Sequence, residues 1–144
     1  MSFDLKLSGG DLIISKNGDF SKVENSEKLV QDALKILATP LGSNPFFPGY
    51  GSPLTSSSIG AAQSPSFASD VLTQNIRASM ELMMQLQKDQ LRVNQTVTAE
   101  EQLAAIGNIF VQQDAVDPRM YIAKLTLISK AFMRVNLPDM NIQP

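Results

Sequence analysis

The residues that most often carry acid–base or nucleophilic chemistry are missing from this sequence. It contains no histidine and no cysteine, which excludes a Ser-His arrangement, a thiolate nucleophile and a sulfur-ligated metal. Two carboxylate pairs remain, Glu24 with Glu27 and Glu100 with Glu101. A glycosidase needs two carboxylates across a sugar, one of them with a raised pKa. Both pairs are explained by the starts of predicted helices, where acidic residues are favoured, so we predict no catalytic residue.

Motifs that bind phosphate or metal are also missing. Ser8-Gly9-Gly10-Asp11 is rich in glycine, but it precedes a predicted strand, whereas a phosphate-binding loop opens a helix. The spacing of Asp4, Asp11 and Asp19 matches no calcium loop. The sequence therefore predicts no cofactor and no metal.

The charge balance argues against nucleic acid and membrane as partners. Twelve basic residues stand against 14 acidic ones, so there is no basic excess to neutralise phosphates. No apolar run approaches the roughly 18 residues of a membrane span. The first residues lack a basic start followed by an apolar run, so we expect no signal peptide and synthesis in the cytoplasm.

The first 24 residues predict short strands joined by tight turns. Phe3, Leu5 and Leu7 alternate with polar residues, as in a half-buried strand. Gly9-Gly10 and Asn17-Gly18 are hairpin turn signals. They bound a second strand at residues 12–14 and a third at residues 20–23.

Helical patterns follow, and two further strands are predicted near the C-terminus. One helix starts at Asn25 or Ser26 and ends before Pro40, and a longer one covers residues 66–93. Thr98 and Glu101 match a capping box and predict a third, short helix through residues 103–106; residues 109–111 either continue it or begin a strand. Strands are predicted at residues 121–128 and 132–137. We therefore predict an α+β fold in a single domain of residues 1–144. Its small mixed or antiparallel sheet would combine N- and C-terminal strands and pack on about three helices.

More than half of residues 39–65 are Gly, Pro or Ser, so this segment predicts neither a helix nor a central strand. Its first half also carries Phe46, Phe47 and Tyr50, more apolar anchors than a solvating linker needs. We predict an ordered loop up to about Ser52 and a mobile, serine-rich remainder.

Asp117-Pro118-Arg119 stands directly before the most apolar predicted strand. Proline fixes its own φ and favours an extended conformation at Asp117, so the direction of the backbone is set before the strand begins. The two charges can pair with each other, with neighbouring backbone or with a partner. The simpler interpretation, a turn that ends in a surface arginine, is favoured by the sequence alone.

Three segments together resemble the sheath-initiator family, baseplate wedge proteins of contractile phage tails and related injection machines that have also carried a lysozyme-like label. The first is Gly10-Asp11-Leu12 with Asn17-Gly18-Asp19, ahead of Leu29-Val30-Gln31. The second runs from Leu37 to Ser52, with Thr39, Pro40, Gly42, Pro45, Pro48 and Tyr50-Gly51-Ser52 at similar positions. The third is Asp117-Pro118-Arg119, which is similar to a Glu-Pro-Arg signature of the family. Aspartate replaces its glutamate, and residues 55–65 are longer and richer in serine than the resemblance predicts.

The resemblance implies a fold similar to the interlocking domain of sheath subunits and a structural role without catalysis. The partners would be the sheath protein, baseplate wedge proteins and tube or hub proteins, with about six copies arranged around the tail. The protein would be made in the bacterial host cytoplasm and located in the tail baseplate of the virion. Strands offered to the first sheath ring would set its register, and a sheet edge suits this role. The candidate partner-binding residues are Asp117, Pro118, Arg119, Tyr121, Ile122, Leu125, Leu127, Phe132 and Val135, with Pro40, Gly42, Pro48, Tyr50 and Gly51 in the loop.

Two alternative functions remain open at the level of sequence. One is a muramidase-like cell-wall hydrolase of the tail, and the other is a separate module that binds peptides by strand addition. The sequence leaves open the kind of machine, its host and the wedge proteins contacted.

Overall fold

The structure is a computed structural model and describes residues 2–55 and 64–143. The predicted α+β class is confirmed, with two α-helices and small antiparallel sheets. The predicted mobile character of the serine-rich remainder falls mainly on residues 56–63, which lie outside the described residues. In chain order the elements are β1 (Asp4–Leu5), β2 (Leu7–Ser8), β3 (Asp11–Leu12), β4 (Lys22–Val23), α1 (Asn25–Ala38), a short 3-10 helix (Pro53–Thr55), α2 (Pro65–Arg92), β5 (Leu103–Gln113), β6 (Tyr121–Ser129), β7 (Arg134–Asn136) and β8 (Met140–Ile142).

The N-terminal strands form two short ladders of their own. β2 and β3 pair around Gly9-Gly10, and β1 pairs with β4. A bridge between Ile14 and Phe20 closes the turn at Asn17-Gly18. Both predicted turns are therefore confirmed. The prediction of one sheet from N- and C-terminal strands is wrong, because the described C-terminal strands pair only with each other.

A buried glutamine on α1 holds the N-terminal strands. The side-chain oxygen of Gln31 accepts a hydrogen bond from the Leu7 amide at 2.9 Å, and its nitrogen donates to the Leu5 carbonyl at 2.8 Å. The same nitrogen donates to Asp4 at 2.9 Å, and the Lys35 ammonium group also pairs with Asp4. Burial alone would raise the pKa of Asp4, but the hydrogen bonds from Lys35 and Gln31 outweigh it and leave that pKa lowered.

The C-terminal sheet is built around β6. β5 pairs along one side of β6, while β7 and β8 pair in succession along the other. Alternate residues of β6 are buried, so one face of the sheet covers the core and packs against α2. The fully buried side chains that join the helices to the sheet include Leu29, Ile36, Leu72, Ile76, Met80, Leu125 and Leu127.

The long helix begins and ends close to its predicted bounds. Ser64 caps α2 by accepting a hydrogen bond from the Phe67 amide at 3.4 Å, and Pro65 occupies the first helical position. Proline suits that position because its missing N–H would have no helical partner there. The helix is long enough to lie along the sheet, and β5 packs against it.

The predicted third helix is wrong, because residues 103–113 form β5. Half of the capping box is nevertheless present, since Glu101 accepts a hydrogen bond from the Thr98 amide at 3.3 Å. The Thr98 hydroxyl bonds instead to the Asn25 side chain at 3.2 Å. The box therefore closes one turn, after which pairing with β6 outweighs local helix propensity.

Candidate functional site

β5 presents an open sheet edge. Among the described residues it pairs only with β6, so the backbone groups on its other side face outward. Its sequence, LAAIGNIFVQQ, contains no charged residue and no proline. Edge strands are usually protected by charges, proline or short length. With 11 residues, β5 is the longest strand of the described part of the chain and carries none of these three devices.

The pairing register identifies the outward groups of β5. The Asp114 amide donates to the Met120 carbonyl at 2.8 Å, and the register continues with Gln113 opposite Tyr121 and Val111 opposite Ala123. In an antiparallel pair, successive residues direct their N–H and C=O groups alternately toward and away from the partner strand. Ile109, Val111 and Gln113 therefore direct theirs outward, and these three residues define what we call the β5 edge.

The regular part of this edge is short. The register shifts between Leu103 and Ala105 and again between Ile106 and Asn108, so residues 103–108 do not form an even ladder. At Gly107 a side chain would place its Cβ 3.1 Å from the Thr126 carbonyl oxygen, which explains why glycine occupies the second irregularity. The β5 edge therefore lies within residues 109–113, where the register is regular and Ile109, Val111 and Gln113 direct their backbone groups outward.

The predicted partner-binding residues of β6 lie on a strand that has no free edge. Tyr121, Leu125 and Leu127 are buried on β6, where they contribute to the core, and Ile122 is half-buried on the opposite face. β6 has partner strands on both sides. Each of the other strands of this sheet pairs only with β6 among the described residues, so β5, with 11 residues, has the longest open edge, and β7 and β8, with three residues each, have short ones.

The turn between β6 and β7 exposes an aromatic side chain. Phe132 is 90% exposed and has a φ of 60°, a conformation that bulky residues rarely adopt. Its amide donates to the Ser129 carbonyl at 2.9 Å. Val135, which follows on β7, is buried. The two predicted residues of this segment thus have different environments, and only Phe132 faces solvent.

Asp117, Pro118 and Arg119 form an exposed turn between β5 and β6. The Asp117 carboxylate accepts a hydrogen bond from the Arg119 amide at 2.9 Å, and the Asp117 carbonyl accepts one from the Met120 amide at 3.0 Å. Neither charged side chain forms an ion pair with the rest of the described chain. Of the three predicted pairings for Asp117, the one with neighbouring backbone is present.

The loop of residues 39–52 is ordered by its own backbone. The Leu41 amide donates to the Ser52 carbonyl at 3.0 Å, and the Ser52 amide donates to the Thr39 carbonyl at 2.8 Å. Farther out, the Gly42 amide donates to the Pro48 carbonyl at 3.1 Å. Pro40 bridges to Ser52 in parallel orientation. The prediction of an ordered loop up to about Ser52 is therefore confirmed.

Gly51 has a steric reason to be glycine. Its φ is 128°, and a Cβ at this position would lie 2.6 Å from the Thr39 carbonyl oxygen. Next to it, Tyr50 is half-buried, and burial raises the pKa of its hydroxyl. Its ring centroid lies 6.5 Å from that of Phe47. Pro40, Gly42 and Pro48 are exposed. Of the predicted loop residues, Tyr50 and Gly51 are therefore packed into the structure, and the other three lie on the surface.

The base of the loop and the β5 edge lie on opposite sides of β6. Leu54, just after the loop, shares an apolar groove with Leu37 and with Met140 and Ile142 of β8. β8 pairs with β6 on the side away from β5. The structure thus does not bring all of the predicted partner-binding residues together.

Sequence reasoning missed the buried glutamine that fixes β5. Gln87 of α2 donates to the Glu101 carbonyl at 2.9 Å and accepts from the Leu103 amide at 2.8 Å. The side chain therefore acts as a backbone amide would and holds the start of β5 against the helix. A glutamine on the apolar side of an amphipathic helix was the available signal.

Glu101 is placed as a structural group. Glu101 is buried, and its second oxygen Oε1 is unpaired among the described residues. Glu27 borders a groove of about 460 Å³ between α1 and the N-terminal hairpin, which Lys6 and Lys35 also line. Within residues 2–55 and 64–143, no group of three or more acidic residues is placed to hold a metal ion. No helix in these ranges is long and apolar enough to cross a membrane.

Comparison of the sequence with protein-family models and with curated proteins found no match.

Proposed function

We propose that this protein is a structural component of a contractile tail or a related injection machine, in which it joins the baseplate wedge to the first ring of the sheath. The observation that carries the proposal is the β5 edge, which is uncharged and open. The resemblance of three sequence segments to the sheath-initiator family supplies the identity of the partner. By the same resemblance, the fold would be similar to the interlocking domain of sheath subunits.

In this role the β5 edge accepts a strand from a sheath subunit. Ile109, Val111 and Gln113 offer three N–H and three C=O groups to an added strand. Each hydrogen bond contributes only about 0.5–1.5 kcal/mol net, so several must form together for firm docking. The strand adds in a fixed register because each shift of one residue would reverse its two faces.

Substitution of Val111 by proline tests this role. The Val111 amide faces away from β6, so Val111→Pro removes an outward donor while the pairing of β5 with β6 is kept. Val111→Ala is the matched control, since it also shortens the half-buried side chain but keeps the amide. We expect naked tubes on intact baseplates with Val111→Pro and normal sheaths with Val111→Ala. Negative-stain counting of sheathed and naked tails measures the outcome, with circular dichroism to verify folding.

Normal sheathing with folded Val111→Pro would contradict strand addition at β5. A proline at Thr126 or Val135 would be a poorer test, because Thr126 pairs with both Asn108 and Asn136 and Val135 pairs with Leu127. A proline at Thr126 would break the sheet itself, whatever the function.

We further propose that the role is not catalytic. The supporting observation is that Glu101 is buried and bonded to backbone, so it is poorly placed to act on a polymer. Purified protein should release no soluble fragments from peptidoglycan. Release that is abolished by Glu27→Gln or Glu100→Gln would instead favour the muramidase alternative.

A further inference from the structure

The outer part of the loop of residues 39–52 exposes apolar side chains. Phe46 is 96% exposed, the highest value among the large apolar residues of the described chain. Phe47 and Leu41 are 45% and 49% exposed. Single exposed apolar residues are normal on protein surfaces. Three on one short loop, each next to a proline, form a surface whose removal from water lowers the free energy.

This surface is held in place before any partner arrives. The side-chain oxygen of Asn44 accepts hydrogen bonds from the amides of both Phe46 and Phe47, at 3.0 and 3.2 Å. The backbone bond from Gly42 to Pro48 closes the loop across its width. An ordered loop loses little conformational entropy when it binds, so more of the contact energy appears as affinity.

The loop carries no charge, and this favours a protein pocket over a lipid surface. Residues 39–52 include no lysine, arginine, aspartate or glutamate. Surface loops and helices that enter membranes usually add basic residues, which are attracted to anionic headgroups. A rigid aromatic side chain in a dry pocket is instead the usual centre of a protein–protein contact.

From these observations we infer that the loop is a second docking element, which inserts Phe46 into an uncharged apolar pocket of a protein other than the one that adds to the β5 edge. The base of the loop lies beside β8, and β6 separates β8 from β5. A partner on the loop side can therefore be held without competing for the β5 edge. The inference rests on the proposed function in one respect, because that function names the second partner as a baseplate wedge protein.

The loop is too small to hold two free copies of this chain together, which argues against a dimer formed through the loop alone. Stable interfaces bury about 800 Å² on each partner, more than a few loop side chains provide. Within a large particle, however, a weak contact is strengthened when other contacts already hold the two proteins close.

Phe46→Ser is the direct test, and Phe67→Ser is its matched control because Phe67 is another exposed phenylalanine (53%), on α2 and outside the predicted partner-binding residues. Each variant replaces the protein in cells that assemble the particle, and its copies per purified baseplate are measured by quantitative immunoblotting. We expect Phe46→Ser to keep its melting temperature and to lose about tenfold or more of its occupancy, while Phe67→Ser stays near wild type. Unchanged occupancy of Phe46→Ser, or an equal loss with both variants, would overturn the inference.

A second measurement does not depend on the stability of that variant. p-Benzoylphenylalanine in place of Phe46 should cross-link, in purified particles, to a protein that is neither this chain nor the sheath subunit. Cross-linking to another copy of this chain would overturn the inference, and so would Phe46-dependent sedimentation with phosphatidylglycerol vesicles. The two experiments test the two proposals independently. Val111→Pro should reduce sheathing while the number of copies of this protein per baseplate stays unchanged, whereas Phe46→Ser should reduce that number itself.

Discussion

Replacement of Gln87 by methionine tests how β5 is fixed to α2. Gln87 is 8% exposed and makes two buried hydrogen bonds, to the Glu101 carbonyl at 2.9 Å and from the Leu103 amide at 2.8 Å. Methionine has a similar volume but offers neither bond, so both backbone groups would be left unpaired. Each unpaired group costs about 1–3 kcal/mol, so we expect Gln87→Met to lower the free energy of unfolding by about 2–6 kcal/mol.

Gln85→Met is the control for this substitution. Gln85 lies on the same helix, is exposed and bonds only to Asp89 at 3.2 Å among the described residues. Its replacement should change the free energy of unfolding by no more than about 0.5 kcal/mol. Urea unfolding followed by circular dichroism measures both values, and hydrogen exchange at the Leu103 amide reports the local effect. Equal, small losses for the two variants would refute the idea that Gln87 holds β5 in place.

Three further predictions concern the loop, the N-terminal ion pair and the exposed turn. Gly51→Ala should destabilise the loop, because its Cβ would meet the Thr39 carbonyl oxygen at 2.6 Å, and faster hydrogen exchange at the Leu41 amide would reveal this. The pKa of Asp4 is lowered from its ordinary value of 3.8, so its stabilising effect is present above about pH 4 and is lost as the pH falls. Asp4→Asn should therefore reduce the loss of stability on acidification, measured by thermal unfolding at several pH values; an unchanged acid profile would count against it. Arg119→Ala should change the free energy of unfolding by less than about 1 kcal/mol, since the side chain is exposed without an ion pair among the described residues. A larger loss on urea unfolding would mean that Arg119 has a structural partner.

Short sequence motifs predict the turns and helix ends that are stabilised by interactions between neighbouring residues. Asn17-Gly18 closes a turn, and Ser64-Pro65 starts α2 close to its predicted position. The start of β5 was predicted as a short helix because Thr98 and Glu101 form a genuine capping interaction that is not followed by a helix. What decides the outcome there is the pairing of residues 103–113 with residues 121–129, and a pattern read within one turn does not contain that information.

The candidate site was predictable in composition but not in arrangement. The prolines and aromatics of the loop indicated order, and the backbone bonds of Leu41 and Ser52 provide it. The separation of the loop from the β5 edge depends on β8 pairing with β6. β8 is a strand of three residues, Met140–Ile142, that follows Pro138, so its short sequence gave no clear signal of where it would pair.

The strand pairings also bear on when the β5 edge forms. Each ladder joins segments that are close in the chain: β1 to β4 within the first 23 residues, and β5 through β8 within residues 103–142. Chains with such local pairings close small loops and fold quickly for their size. We therefore expect the edge to form early in folding. On the proposed function, the incoming strand would dock against a finished surface, and its association rate would be governed by the orientation of the two molecules when they collide.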